Sequence, residues 1–141
     1  MNYSIKTEKT DYLISYKKVF KENEIKDIFI SNGWESGNHT KMLVKAFSRA
    51  SHVVSVSDSN GLLIGIARSM DDGSWSANID CVIVHKDFQK KGIGTIMMKA
   101  LLQELGKIKY ISVSPDNPET AAFYQKFGFY KTHGINLQKK N

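Results

Sequence analysis

A glycine-rich loop, Gln89-Lys90-Lys91-Gly92-Ile93-Gly94, is the segment of this sequence best suited to binding chemistry. It lies where an amphipathic helix is predicted to begin. The first N–H groups of a helix have no internal partner and the helix dipole is positive there, so that end attracts anions. The two glycines allow the backbone to approach phosphate oxygens, and Lys90 and Lys91 add positive charge. Taken alone, the loop indicates only that an anion could bind.

The loop must be positioned by a strand before it and a helix after it, and the sequence predicts both. Residues 81–84 form an apolar run typical of a buried central strand. After the loop, apolar residues recur at helical spacing until Gly106 ends the helix. Two nucleotide-binding motifs are disfavoured, because Met97 stands where a Rossmann fingerprint needs glycine and the Gly-Lys-Ser/Thr of a Walker loop is missing.

The remaining patterns predict a mixed α/β chain without repeats, linkers or a domain boundary. Strands are predicted over residues 12–20, 52–57, 62–69, 75–84, 110–114 and 129–137, the last of which could be two strands broken near Gly134. Helices are predicted over residues 24–31, from a cap at Asn38 to before His52, over residues 93–105, and from a cap at Asn117 to Gly128.

A second motif lies some thirty residues after the loop. Asn117-Pro118-Glu119 has the cap, the first-position proline and the first-turn acid of a helix start, and the helix ends in the aromatic-rich run Phe123-Tyr124-Gln125-Lys126-Phe127-Gly128-Phe129. Residues 84–94 and 121–129 together resemble the GNAT superfamily of acetyl-CoA-dependent N-acetyltransferases. The hallmark of that family is Gln/Arg-x-x-Gly-x-Gly/Ala between a strand and a long helix. The order of elements matches from about Val53 onward; Lys86 replaces a proline common in the family.

The resemblance implies a fold and a reaction. The expected fold is the GNAT acyl-CoA acyltransferase fold, an α/β (α+β) domain over residues 1–141 whose mixed, mostly antiparallel central sheet of about six or seven strands is flanked by four helices. The expected activity is acetyl transfer from acetyl-CoA, as co-substrate, to a primary amine by direct attack in a ternary complex. No metal is expected, since no ligand spacing supports one.

The resemblance also implies where the cofactor binds. Two central strands should separate near residues 81–84, so that the backbone there pairs with the pantetheine arm while the loop holds the pyrophosphate. The expected cofactor-binding residues are Val82, Ile83, Val84, Gln89, Lys90, Lys91, Gly92, Ile93, Gly94, Thr95, Asn117 and Tyr124. Asn117 could equally be an ordinary helix cap.

Acetyl transfer needs a neutral amine and a proton for the leaving thiolate. Tyr124 stands where the family places its general acid, although it could simply pack with neighbouring aromatic residues. Asp80 is the candidate base, because strand alternation predicts that it shares a face with Val82 and Val84; alternatively, it only satisfies backbone groups. Cys81, inside an apolar strand, is interpreted as a core residue.

The family builds its acceptor site from the first two helices and the turn after the third strand. The residues expected there are Phe29, Trp34, Glu35 and Arg68, with Ser69, Asp71 and Asp72 close by. Trp34 could stack on an apolar group and the acids could hold a cationic amine, although Trp34 could also anchor packing. A small amine, such as an amino-acid derivative or polyamine, is the first expectation, and a peptide amine is the second.

Composition sets the outer limits. The chain has 141 residues, 41% of them hydrophobic, and a net charge of +6, which favours anionic partners without selecting one. The single cysteine, the absence of a signal-like core in residues 1–10 and the lack of a long apolar stretch favour a cytoplasmic protein that spans no membrane. Family habit suggests a homodimer. The rival readings are a non-catalytic acyl-CoA sensor and a nucleic-acid-binding module, but no nucleic-acid motif accompanies the charge.

Overall fold

A mixed β-sheet forms the centre of the protein in a computed structural model, which describes residues 2–7 and 10–141, with side chains from Asp11 onward. In the described chain the sheet has six strands: β1 (Asn2–Thr7), β2 (Thr10–Ser15), β3 (His52–Ser57), β4 (Leu63–Asp71), β5 (Ser76–Val84) and β6 (Tyr110–Val113). The strands lie in chain order. The first four pairings are antiparallel, and β5 pairs with β6 in parallel.

Four α-helices flank the sheet within the described residues: α1 (Glu22–Ser31), α2 (Thr40–Arg49), α3 (Ile93–Leu105) and α4 (Pro118–Gln125). Short 3₁₀ turns occupy Glu35–Asn38 and Lys86–Phe88. The α/β fold with a mixed sheet and four helices is therefore present as expected. Among the described helices, none combines the length and the apolar character needed to cross a bilayer.

The helices divide into two layers, one on each face of the sheet. On one face, Met97 and Leu101 of α3 pack with Ile79 of β5 and with Tyr124 of α4. On the other face, Ile28 and Phe29 of α1 and Phe47 of α2 pack with Ile66 and Ile83. Helix α3 also supplies the crossover that a parallel pair of strands requires, since it carries the chain from β5 to β6.

The strand predicted over residues 129–137 is wrong, because that segment forms neither strand nor helix. Phe129 packs against the core, but Ile135 and Leu137 are 87% and 92% exposed, so the segment has no apolar face to hold it on the sheet. The strand β1 was not predicted. The remaining five strands correspond to predicted ones, although β2 ends at Ser15 rather than Phe20.

Other helix boundaries also differ from the prediction, and α1 begins at Glu22 rather than Glu24. Helix α2 begins at Thr40 with His39 as N-cap, because Asn38 belongs to the preceding 3₁₀ turn. Helix α4 ends at Gln125, and a turn then leads to Gly128, whose φ of +93° suits glycine. The interpretation of residues 1–10 as free of a signal sequence falls partly on residues 1, 8 and 9, which lie outside the described part of the chain.

Phe47 joins the helical layer to the sheet, and its removal tests that layer. Its fully buried ring meets Phe20 and Phe29 edge to face, with ring centroids 5.9 Å and 6.3 Å away. Phe47→Ala is expected to lower the free energy of unfolding by about 3–5 kcal/mol, measured by denaturant titration, because it leaves a cavity. Met42→Ala, on the same helix at a side chain 71% exposed, should change it by less than about 0.5 kcal/mol. Equal losses in the two variants would contradict this account.

Candidate functional site

The sheet opens between β5 and β6. Their parallel ladder runs from Ser76 opposite Tyr110 to Ile79 opposite Val113 and stops there, while β5 continues to Val84. Residues 80–84 therefore have no β6 partner in the described chain. A strand edge of this kind carries N–H and C=O groups that can pair with an extended ligand.

A β-bulge marks the opening. Cys81 has a φ of +53°, in the left-handed region that non-glycine residues rarely adopt. Arg68 lies opposite Asp80 and Ile66 opposite Ile83, so β5 has one residue more than β4 across this stretch.

The bulge reverses the alternation of side chains along β5. Ile79 before it and both Val82 and Val84 after it pack on the α3 side of the sheet. Asp80 instead pairs with Arg68, whose guanidinium lies over the Phe47 ring on the α1–α2 side. The prediction that Asp80 shares a face with Val82 and Val84 is therefore wrong, because the extra residue at Cys81 breaks the two-residue period.

Asp80 and Arg68 form a two-point ion pair. Arg68 donates from Nε to Oδ1 at 2.5 Å and from Nη2 to Oδ2 at 3.1 Å. The hydrogen bond to Asp80 raises the pKa of Arg68 against the opposing effect of burial, so the guanidinium stays charged. The Asp80 side chain is still 39% exposed, which leaves room for a second cation beside the carboxylate.

The loop before α3 has the geometry of an anion site, and we call residues 89–95 the anion loop. Lys90 and Gly92 have φ values of +62° and +81°, which turn the backbone sharply before the helix. At this end of the helix the Ile96 N–H donates to the Gly92 carbonyl at 3.1 Å. The N–H groups of Ile93, Gly94 and Thr95 precede it and point along the axis out of the helix, where an anion would lie.

The second glycine of the loop has a packing role as well. A Cβ atom on Gly94 would lie 3.3 Å from the ring of Phe123 on α4. A Cβ on Gly92 would meet nothing within 4 Å, so Gly92 is favoured by its φ rather than by space. The two glycines thus satisfy different constraints, one of backbone conformation and one of contact between α3 and α4.

The Gln89 side chain supports the loop itself. Its Nε2 donates to Asn32 Oδ1 at 2.7 Å and to the Val84 carbonyl at 3.1 Å. Asn32 Nδ2 donates to the same Val84 carbonyl at 2.9 Å. Because both lone pairs of that carbonyl are occupied, backbone pairing with a ligand falls to other groups of residues 80–84.

Tyr124 lies on the α3 side of the opening, in a groove of about 640 Å³ bordered by β6, α4 and residues 127–136. Its ring contacts Phe123 and Phe129 edge to face at 5.2 Å and 5.8 Å. Burial, with a smaller contribution from the charge of Asp116, raises the pKa of Tyr124 to about 12. The hydroxyl is therefore protonated at neutral pH and can donate a hydrogen bond.

Comparison with known proteins identifies the family. Residues 49–131, more than half of the chain, match the family model described as an acetyltransferase (GNAT) domain. The chain belongs to the GNAT acetyltransferase family. An uncharacterised N-acetyltransferase, ycf52, of Pyropia yezoensis is 30% identical over 130 residues, which cover 89% of this chain and 74% of that protein.

Two further relatives share the GNAT fold or part of the sequence. The GNAT family acetyltransferase SP0256 of Streptococcus pneumoniae superimposes with a TM-score of 0.75 at 21% identity, over 92% of this chain and 99% of that chain. A protein named probable spermine N(1)-acetyltransferase from Bacillus subtilis subsp. natto is 36% identical over 56 residues, which cover 36% of this chain and 37% of that protein.

The residues predicted for the acceptor site of this GNAT domain fall into two groups. Trp34 is 37% exposed, and Glu35 approaches His39 at 3.6 Å on the turn between α1 and α2. Arg68 pairs with Asp80 as described. Phe29 is only 1% exposed and meets Trp34 edge to face at 5.6 Å, so it supports Trp34 from the core and is not itself open to an acceptor.

The other polar residues predicted nearby have structural partners. Asp71 accepts from His52, with the Nδ1 to Oδ2 distance 2.8 Å, beside the buried Ser69. Asp72 accepts the Ser74 N–H at 2.8 Å, and hydrogen bonds of this kind, that from Ser74 first, lower the pKa of Asp72. These acids close the turn between β4 and β5.

Asn117 is the N-cap of α4. Its Oδ1 accepts from the Thr120 N–H at 2.8 Å and from the Thr120 hydroxyl at 3.0 Å. The cap fixes the start of α4 and hence the position of Tyr124 two turns later.

Two features of the site were not predicted from the sequence: the bulge at Cys81 and the contacts that Asn32 makes. A positive φ at a cysteine has no sequence signal, because cysteine normally occurs with negative φ. In the sequence, Asn32 and the following Gly33 indicate only the end of α1. The contacts of Asn32 with Val84 and Gln89 join residues more than fifty positions apart, so no local pattern predicts them.

Cys81 is expected to be an inert thiol. Burial, with a smaller contribution from the charge of Asp80, raises the pKa of Cys81 to about 11. At pH 8 roughly 0.1% of it is thiolate, against about a quarter for an ordinary thiol. The more basic thiolate is also about tenfold more nucleophilic, which offsets part of this difference. Alkylation by iodoacetamide, followed by mass spectrometry, should therefore be about twentyfold slower than that of the same protein unfolded in urea, and should accelerate as pH rises toward 11. Equal rates at pH 8 in the folded and unfolded states would contradict this.

Proposed function

We propose that this GNAT enzyme transfers an acetyl group from acetyl-CoA to the primary amine of a small molecule, by direct attack in a ternary complex. The observation that carries the proposal is the opening between β5 and β6, which has Asp80 on one face of the sheet and Tyr124 on the other. A thioester lying in this opening would have the Asp80 carboxylate on the α1–α2 face, from which the amine approaches. It would have the Tyr124 phenol on the α3 face, where the sulfur leaves.

In this proposal the cofactor binds along two adjacent elements, the start of α3 and the free edge of β5. The pyrophosphate binds the N–H groups at the start of α3, with Lys90 and Lys91 adding charge. The pantetheine arm extends along the free edge of residues 80–84 and pairs with the backbone of Val82 and the N–H of Val84, as an added strand would, because Ile83 lies opposite Ile66 in the ladder with β4. Supporting this placement, Val82 packs on the α3 side, where Tyr124 also lies.

The reaction forms an amide bond and breaks a thioester bond. The neutral amine attacks the carbonyl carbon, the tetrahedral intermediate collapses, and the sulfur leaves with the electron pair of the C–S bond. Tyr124 donates a proton to the departing sulfur, which yields CoA thiol. The proton lost by the amine goes to Asp80 or to water beside it, and Arg68 holds the carboxylate in place.

The acceptor is proposed to be cationic. Asp80 and Glu35 carry negative charge on the α1–α2 side, and the exposed face of Trp34 can receive a cation or an apolar chain. The name of the Bacillus relative is consistent with a polyamine acceptor. Arg68 lies beside Asp80, so an acceptor that carries both an amine and an anionic group also fits.

A thiol-release assay with acetyl-CoA over a panel of amines tests the activity and the acid. The panel should contain polyamines, amino-acid amides and a peptide with a free N-terminus. Tyr124→Phe is expected to lower kcat about 100-fold, because the variant has no proton to donate. Tyr130→Phe, at the border of the same groove but with its ring 76% exposed, is the matched control and should keep most of the wild-type rate.

The pH profile sharpens this test. Since the folded pKa of Tyr124 is about 12, the phenol is protonated at every pH below about 11, and its contribution is lost only above that. The ratio of wild-type to Tyr124→Phe rates should therefore be constant from pH 7 to 10. CoA binding without release for any amine would reject catalysis, and an unchanged rate in Tyr124→Phe would reject the acid.

Asp80→Asn tests the base. At pH 7.5 it is expected to reduce the rate about 100-fold, because the asparagine amide neither attracts an ammonium group nor accepts its proton. The deficit should shrink toward pH 10, where the acceptor amine loses its proton in solution. Glu104→Gln, at an exposed acid on α3, serves as the control. A deficit that stays constant across this range would assign Asp80 a structural role.

A further inference from the structure

The end of α1 is tied to the strand and loop that precede α3. Asn32, the C-cap of α1, donates from Nδ2 to the Val84 carbonyl at 2.9 Å and accepts from Gln89 Nε2 at 2.7 Å. The same Nδ2 lies 3.2 Å from the Ile28 carbonyl, which fixes the Asn32 side chain to its own helix. One amide group thus bonds to the helix, the strand end and the anion loop.

Two further contacts join α1 to the segment between β5 and the anion loop. Ser31 Oγ accepts the Lys86 N–H at 3.2 Å and donates to the Ile28 carbonyl at 2.7 Å. Asp27 Oδ2 lies 3.3 Å from Nε2 of His85, a side chain 12% exposed. Of these residues, Asn32 alone contacts the anion loop, since the other two hold the segment before it.

The position of Asn32 gives these bonds a consequence for binding. Gln89 is the first residue of the anion loop, and three residues later Gly92 begins the turn into α3. Gln89 Nε2 donates two hydrogen bonds, and both involve Asn32. One is accepted by Asn32 Oδ1, and the other by the Val84 carbonyl, to which Asn32 also donates. Without the Asn32 side chain, Gln89 Nε2 loses the acceptor Asn32 Oδ1, and the Val84 carbonyl loses the hydrogen bond from Asn32 Nδ2. The loop would then have to be ordered by the ligand, at a cost in affinity.

We propose that Asn32 is a positioning residue for the pyrophosphate: it preorganises the anion loop through Gln89 and so raises the affinity for CoA, without touching the cofactor. The inference rests on the proposed function, since it requires the anion loop to hold the pyrophosphate. It also links the loop to the acceptor side, because Gly33 and Trp34 follow Asn32 directly.

The test compares two acetyl donors that differ in the pyrophosphate. Asn32→Ala is expected to raise the Kd for CoA, measured by calorimetry, and the KM for acetyl-CoA about ten- to thirtyfold, with kcat changed less than about twofold. With S-acetylpantetheine, which has no pyrophosphate, kcat/KM should be unchanged. Asn23→Ala, at an exposed position on α1, is the matched control.

A double-mutant cycle keeps the test independent of folding defects. Gln89→Ala should weaken CoA binding to a similar extent, and Asn32→Ala added to it should cost little more, because both act through one bond. Thermal unfolding of each variant shows that it is folded.

The outcomes separate the two proposals. If the wild type binds no CoA, both fail. If the wild type binds CoA and Asn32→Ala binds it equally well, the positioning role alone fails. Equal losses with acetyl-CoA and S-acetylpantetheine, or fully additive losses in the cycle, would show that Asn32 merely stabilises the fold and would also overturn the positioning role.

Discussion

Strand β5 is bonded to β4 along most of its length but to β6 only over its first four residues, and the rest of the site depends on this difference. Here α3 packs under β5 and leaves the edge of residues 80–84 free. The bulge at Cys81 lies at the same level and turns Asp80 to the face opposite Val82. An opening in the sheet thereby acquires different chemistry on its two faces.

Burial and ion pairing determine the protonation states of the side chains beside this opening. Tyr124 is kept protonated by its apolar surroundings, and Cys81 is kept as a thiol for the same reason. Arg68 is held charged by its two bonds to Asp80. The phenol is thus confined to donating a proton, whereas the partly exposed carboxylate remains available to a cationic partner. In the proposed reaction, this separation of the two groups would let a proton be removed on one face and supplied on the other.

The anion loop is held from three directions. The helix α3 provides its N–H groups, Phe123 of α4 packs against Gly94, and Asn32 of α1 reaches Gln89. Elements from both layers of the fold therefore meet at one short loop. Because α1 also leads into the turn that carries Trp34 and Glu35, the proposed acceptor side and the proposed cofactor side are both attached to this helix. This arrangement explains why Gln89, although it belongs to the glycine motif, has its amide directed into the protein.

Local pattern determined much of this protein. The glycine loop, the helices around it, the cap at Asn117 and five strands could be predicted, because turns, caps and periodic apolar residues act over a few neighbours. The family followed from two motifs in order. Only the tertiary structure decided which face Asp80 occupies, that Phe29 is buried beneath Trp34, and that Asn32 meets Gln89. Those facts depend on one extra residue in a strand and on contacts between distant segments, which a two-residue or 3.6-residue period does not record. The segment 129–137 is not a strand for the related reason that pairing requires an edge and an apolar face, and its side chains after Phe129 are exposed.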